Sequence, residues 1–100
     1  MTYGDAVIYD DYFYGLRRAI TKINLYERTT SHHGEAMQFI DVSLTHGDLI
    51  IAIRKKGTES ELRSGDAWYE ILCDRGIFWV PGFTLFCNSK AVTLKSLEND

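Results

Sequence analysis

Proline and cysteine are scarce in this chain of one hundred residues, with one proline and two cysteines. So little proline excludes a proline-rich linker or a polyproline ligand. Two cysteines, Cys73 and Cys87, are too few for a disulfide scaffold and are expected as buried, reduced thiols. Long apolar runs are missing as well. A stretch such as Leu49–Ile53 is far short of the roughly 20 residues that cross a bilayer. The opening Met-Thr-Tyr-Gly-Asp has no basic or apolar signal region, and Thr2 stands where myristoylation needs glycine. A cytoplasmic protein without membrane attachment is therefore expected.

Positive charge is not in excess either. The net charge of −3 argues against a protein that gains its affinity by neutralising many phosphates. Neither Cys-x-x-Cys, His-Glu-x-x-His, Gly-x-Ser-x-Gly, a P-loop nor a dinucleotide fingerprint occurs. No enzymatic activity and no cofactor are expected from such a chain.

What is present is the composition of a folded domain, 45% hydrophobic and 25% charged, and the length fits one domain spanning residues 1–100. The spacing predicts a helix over Asp10–Glu27, because Tyr9, Tyr12, Leu16, Ala19, Ile20 and Ile23 fall within about 120° on one side. Phe13, Leu16 and Ile20 would dock it. Gly15 is a weak point, costing about 1 kcal/mol against alanine in a helix. Beyond a polar loop at Thr29–Glu35, Met37–Thr45 alternates with Ile40, Val42 and Leu44 on one face. His46-Gly47 then breaks the pattern before Leu49, Ile51 and Ile53, which predicts a β-hairpin. Lys55–Ala67 is polar and predicts a long loop. Trp68–Asp74, Ile77–Val80, Phe83–Cys87 and Ala91–Leu97 predict further strands. The expected fold class is α+β, with one N-terminal helix packed on an antiparallel sheet of five or six short strands.

Gly47-Asp48-Leu49-Ile50, a polar loop, Trp68-Tyr69-Glu70-Ile71-Leu72, a tight turn and Phe78-Trp79-Val80-Pro81 follow one another. This order resembles the pattern of SH3-like small β-barrels over about two-fifths of the chain. The resemblance implies a small SH3-like barrel in the C-terminal part. It carries over no ligand residues, because the acidic first loop and Tyr-rich opening of the peptide-binding members are not matched.

Three groups of residues could act. On a helix, Tyr14 would lie about 100° to the polar side of Phe13, flanked by Asp10 and Arg18, with Arg17 alongside. Tyrosine and arginine dominate binding energy at protein interfaces, so Tyr14, Arg18, Arg17 and Asp10 are the candidate partner-binding residues. The basic run Arg54-Lys55-Lys56, with Trp68, Trp79 and Phe78 as stacking surfaces, would suit a nucleic-acid accessory protein. The same run could instead guard a strand edge. His32-His33 with Glu35 are ligands of the right type for a metal or a small enzyme, but adjacent histidines on an extended chain point to opposite sides. No metal is expected there.

The leading expectation is a small non-enzymatic protein-binding module, of the kind a virus or mobile element encodes to occupy and inhibit a host protein surface. Self-association through an edge strand or the helix face is a further expectation.

Overall fold

The computed structural model describes residues 8–31 and 34–93, and describes residues 8–14, 30–31 and 34–35 by their backbone alone. Seven strands and two short helices follow one another. They are β1 (Ile8–Ala19), β2 (Ile23–Ser31), β3 (Gly34–Leu44), β4 (Leu49–Thr58), α1 (Glu59–Ser64), β5 (Trp68–Cys73), β6 (Gly76–Pro81), α2 (Gly82–Cys87) and β7 (Ser89–Ala91). All seven strands join one antiparallel sheet in the order β3-β2-β6-β5-β4-β1-β7.

That order overturns the expected fold class. Residues 10–27 form no helix. They supply most of two strands, β1 and β2, and no N-terminal helix covers the sheet. Strand β1 pairs with β4 from Ile8↔Thr58 to Arg18↔Leu49, with a register shift between Tyr12 and Gly15. The shift breaks the alternation of apolar residues along β1, so the segment imitates a helical period. Its tyrosines and phenylalanine are residue types that suit strands, and pairing with β4 decides the outcome. Of the residues expected to dock the helix, Ile20 is exposed and Leu16 is half-buried. The side chain of Phe13 lies outside the described set.

The His46-Gly47 turn is present, with Gly47 at φ 99° and the Asp48 carboxylate accepting from the Thr45 N–H at 2.8 Å. It does not close a hairpin. Strands β3 and β4 lie four places apart in the sheet, and the turn docks instead on β1 through Gly47 N–H to Ala19 O.

The sheet has to be rolled. Strands β1 and β2 are also four places apart, which in a flat sheet would be about 19 Å. The chain from Ala19 to Ile23 can span at most about 14 Å. Inside the roll Ile23, Leu25, Leu44, Ile50, Ile71 and Val80 are fully buried, joined by Leu85 of α2. Ile40 and Val42 pack against this core, as their alternation with Leu44 implied.

Two further expectations are corrected. Lys55–Ala67 is not a loop, because β4 runs to Thr58 and α1 follows. Thr58 caps that helix, accepting from Glu61 N–H at 3.1 Å, while the Glu61 carboxylate accepts from Thr58 N–H at 2.8 Å. Phe83–Cys87 is not a strand but lies in α2, which leaves Cys87 exposed rather than buried. Cys73 is half-buried, its thiol donating to Gly76 O. Of the expected strand Ala91–Leu97 only Ala91 lies in a strand, as the last residue of β7; Val92 and Thr93 do not, and residues 94–97 lie outside the described set.

Candidate functional site

Strands β2 and β3 pair along their whole length, from Ile23↔Leu44 to Ser31↔Gly34. Strand β6 holds β2 at Tyr26↔Trp79. From Glu27 onward, among the described residues, β2 has only β3 as a ladder partner. The outer part of the pair is thus a two-stranded ribbon that leaves the sheet. It stands across from the far end of β4 and the start of α1.

Between ribbon and body runs an open cleft of about 330 Å³. Arg28 and Met37 line it from the ribbon, and Lys56, Glu61 and Trp68 from the body. Antiparallel register sets Lys56 opposite Trp68, which brings the end of the basic run beside an indole. Trp68 is fixed by an edge-to-face contact with Tyr26, ring centroids 5.1 Å apart, and Tyr26 makes a second such contact with Phe39 at 5.8 Å. The cleft therefore has an aromatic wall, a thioether and two cationic side chains. Glu61 adds a carboxylate beside the two cations, one of its oxygens accepting from the Thr58 N–H.

One row along the sheet the aromatics are covered. Trp79 is only 4% exposed, with the Arg28 guanidinium 5.4 Å and the Arg54 guanidinium 4.8 Å from its ring centroid. Arg54 also approaches the Glu70 carboxylate at 3.3 Å. Phe78 packs against the core. Of the three aromatics expected as stacking surfaces, Trp79 is buried, and Phe78 and Trp68 are half-buried. Arg54, the first residue of the basic run, is engaged with Trp79 and Glu70.

The candidate partner-binding residues fall on β1. Helical geometry had joined Tyr14 to Arg18, and that geometry is absent. Asp10 is in register with Lys56, at the cleft end of the sheet, and Arg18 is in register with Leu49 at the opposite end. The side chains of Asp10 and Tyr14 lie outside the described set. Arg17 is engaged internally. Its guanidinium donates to Ser89 Oγ at 2.6 Å and to Ser89 O at 2.9 Å, and lies 4.9 Å from the centre of the Phe86 ring. Ser89 in turn donates to Leu85 O. Arg17 thus ties β1 to β7 and α2. Burial draws its guanidinium below the ordinary value, an effect opposed by Tyr69. Burial likewise pushes the Tyr69 phenol up, an effect opposed by Arg17.

His32 and His33 lie outside the described residues, as does the side chain of Glu35. Among the described residues no three His, Cys, Asp or Glu side chains come together as metal ligands. Among them, too, no helix is long and apolar enough to cross a membrane.

No family model, curated protein or solved structure matches this chain. The cleft is built from residues the sequence pointed to only in part. Trp68 and Lys56 were legible as an aromatic and a basic run, whereas Arg28 and Met37 carried no signal. The Thr58-x-x-Glu61 capping pattern, which places α1 and so one wall, stands in the sequence and is the sign that could have found it.

Proposed function

We propose that this domain is a non-enzymatic, cytoplasmic protein-binding module whose cleft takes an extended, acidic segment of a partner chain. The observation that carries the reading is one juxtaposition. Arg28 and Lys56 share an open trough with Trp68, and Tyr26 braces that indole. An extended peptide lays alternate side chains into such a trough, and carboxylates on it meet the two cations. Apolar side chains meet Trp68 and Met37. The buried ring of Trp79 favours a peptide over single-stranded nucleic acid, which needs a succession of open rings on which to stack. A module of this kind acts by occupying a surface, as an inhibitor encoded by a virus or mobile element would.

The test is titration with three probes: a library of acidic peptides carrying apolar residues, its charge-reversed counterpart, and a single-stranded oligonucleotide. The acidic peptides are expected to perturb tryptophan fluorescence. Lys56→Glu and Trp68→Ala should each weaken binding by about fivefold or more. Melting curves establish that each variant is folded. Preferential, salt-labile capture of the oligonucleotide would overturn the proposal, and so would equal affinity for both peptide libraries.

A further inference from the structure

A second surface lies at the other end of the sheet. Leu16, Ile51, Leu72 and Ile77 are in register across four adjacent strands, Leu16↔Ile51, Ile51↔Leu72 and Leu72↔Ile77. Their neighbours Ile50 and Ile71 point into the core, so this row faces outward. Ile51 is 37% exposed, Leu72 39%, Ile77 57% and nearby Leu49 44%. Monomers commonly scatter single exposed apolar residues, but a continuous row across four strands is a patch.

The charges flanking it are ordered. Leu49 lies two residues from Ile51 on the same face, in register with Arg18 on its β1 side. On its β5 side Asp74, two residues past Leu72, lines the same groove as Leu16, Leu49, Ile51 and Leu72. Cation, leucine and carboxylate thus run from β1 across β4 to the turn after β5, and Asp48, beside Leu49, lines the groove as a second carboxylate. A two-fold axis in the plane of the interface, parallel to β4, lays β4 on its copy and β1 on the copy's β5. Ile51 then meets Ile51, Leu49 meets Leu49 and Leu16 meets Leu72. Arg18 meets Asp74 twice, once on each side of the axis. The patch is complementary to itself in both shape class and charge, which is what an isologous dimer requires.

We propose that this outer face binds a second copy of the chain, through the Leu16–Ile51–Leu72 row clamped by two Arg18–Asp74 pairs. Five apolar side chains and two charges per copy cover less than the roughly 800 Å² per partner of a standard interface, so the dimer is reversible. Trp68 is four residues along β5 from Leu72, about 13 Å away, so the cleft stays open in the dimer. The dimer therefore stands or falls independently of the peptide reading.

Sedimentation velocity of the full chain from about 10 µM to about 1 mM tests the proposal. A concentration-dependent dimer is expected, and Ile51→Glu should abolish it. Arg18→Asp and Asp74→Arg alone should each weaken it about tenfold, and the double exchange should recover affinity to within about threefold of the original. Concentration-dependent amide shifts of the unmutated protein supply a measurement that needs no variant, and they should centre on Leu16, Leu49, Ile51 and Leu72. A monomer throughout the range overturns the proposal. So does a dimer indifferent to Ile51→Glu, a double exchange no better than the single ones, or shifts centred on the β3 edge.

Discussion

The rolled body and the β2–β3 ribbon are made of the same kind of strand and are held in different ways. In the body, β4, β5 and β6 each have a neighbour on both sides, and their inward residues Ile50, Ala52, Ile71 and Val80 are buried together. In the ribbon, among the described residues, the strands beyond Tyr26 pair only with each other, and Phe39, Gln38 and Ala36 are exposed. The body obtains its stability from burial and cooperative pairing. The ribbon has little apolar area to bury, and its use is to form one wall of a cleft. Stability and recognition are thus assigned to different parts of one sheet.

The sharpest way to break this contrast is to cut into the body. Ile71→Ala removes a fully buried side chain and should cost about 2–5 kcal/mol in a urea titration. The exposed Gln38→Ala on the ribbon should stay within about 0.5 kcal/mol. Equal losses at the two positions would show that ribbon and body share one core. Hydrogen exchange should agree, with amides of Arg28 and Thr29 opening well before those of Ile71 and Val80.

A smaller effect is expected where the two regions face each other. Thr58→Ala removes the cap of α1 and should cost about 1 kcal/mol. Because α1 carries one wall of the cleft, peptide affinity should fall with it while the core keeps its exchange protection. A change in stability with no change in affinity would detach α1 from the site.

The smallest effect belongs to the body alone and appears in alkali. Burial raises the Tyr69 phenol above its value in the unfolded chain, with Arg17 opposing. A raised acid stabilises the fold fully below the unfolded value near pH 10.0 and loses that contribution as pH climbs through the folded value. Stability compared between about pH 8 and about pH 11 should fall, and should fall less in Tyr69→Phe. Identical slopes would remove Tyr69 from the titration.

The legible parts of the molecule were those where local pattern and tertiary environment agree. Trp68–Cys73 and Gly76–Pro81 are strands joined by a glycine turn, as their composition implied. Ile40, Val42 and Leu44 face the core together. Residues 10–27 misled because a register shift between Tyr12 and Gly15 imitates a helical period, and only pairing with β4 shows that a strand is there. The helical face that joined Tyr14 to Arg18 is absent; Trp68 lies on a strand as its composition implied, whereas Lys56, expected in a polar loop, lies on β4. Arg28 and Met37 could not be found from spacing, since they reach the cleft only when the ribbon bends away from the sheet.

By itself, then, the sequence determined where most body strands lie, which faces of them are apolar and where the chain turns. Those are short-range properties, set by alternation, by glycine and by β-branched or aromatic residues within a few positions of one another. Only the tertiary structure decided that β3 and β4 do not pair across their turn, that β1 is a strand, and that Trp79 is buried while Trp68 is half-buried. Each of these depends on which distant segment takes up a strand's free hydrogen-bonding edge. That choice is made by the burial of the whole core at once, and no local pattern encodes it.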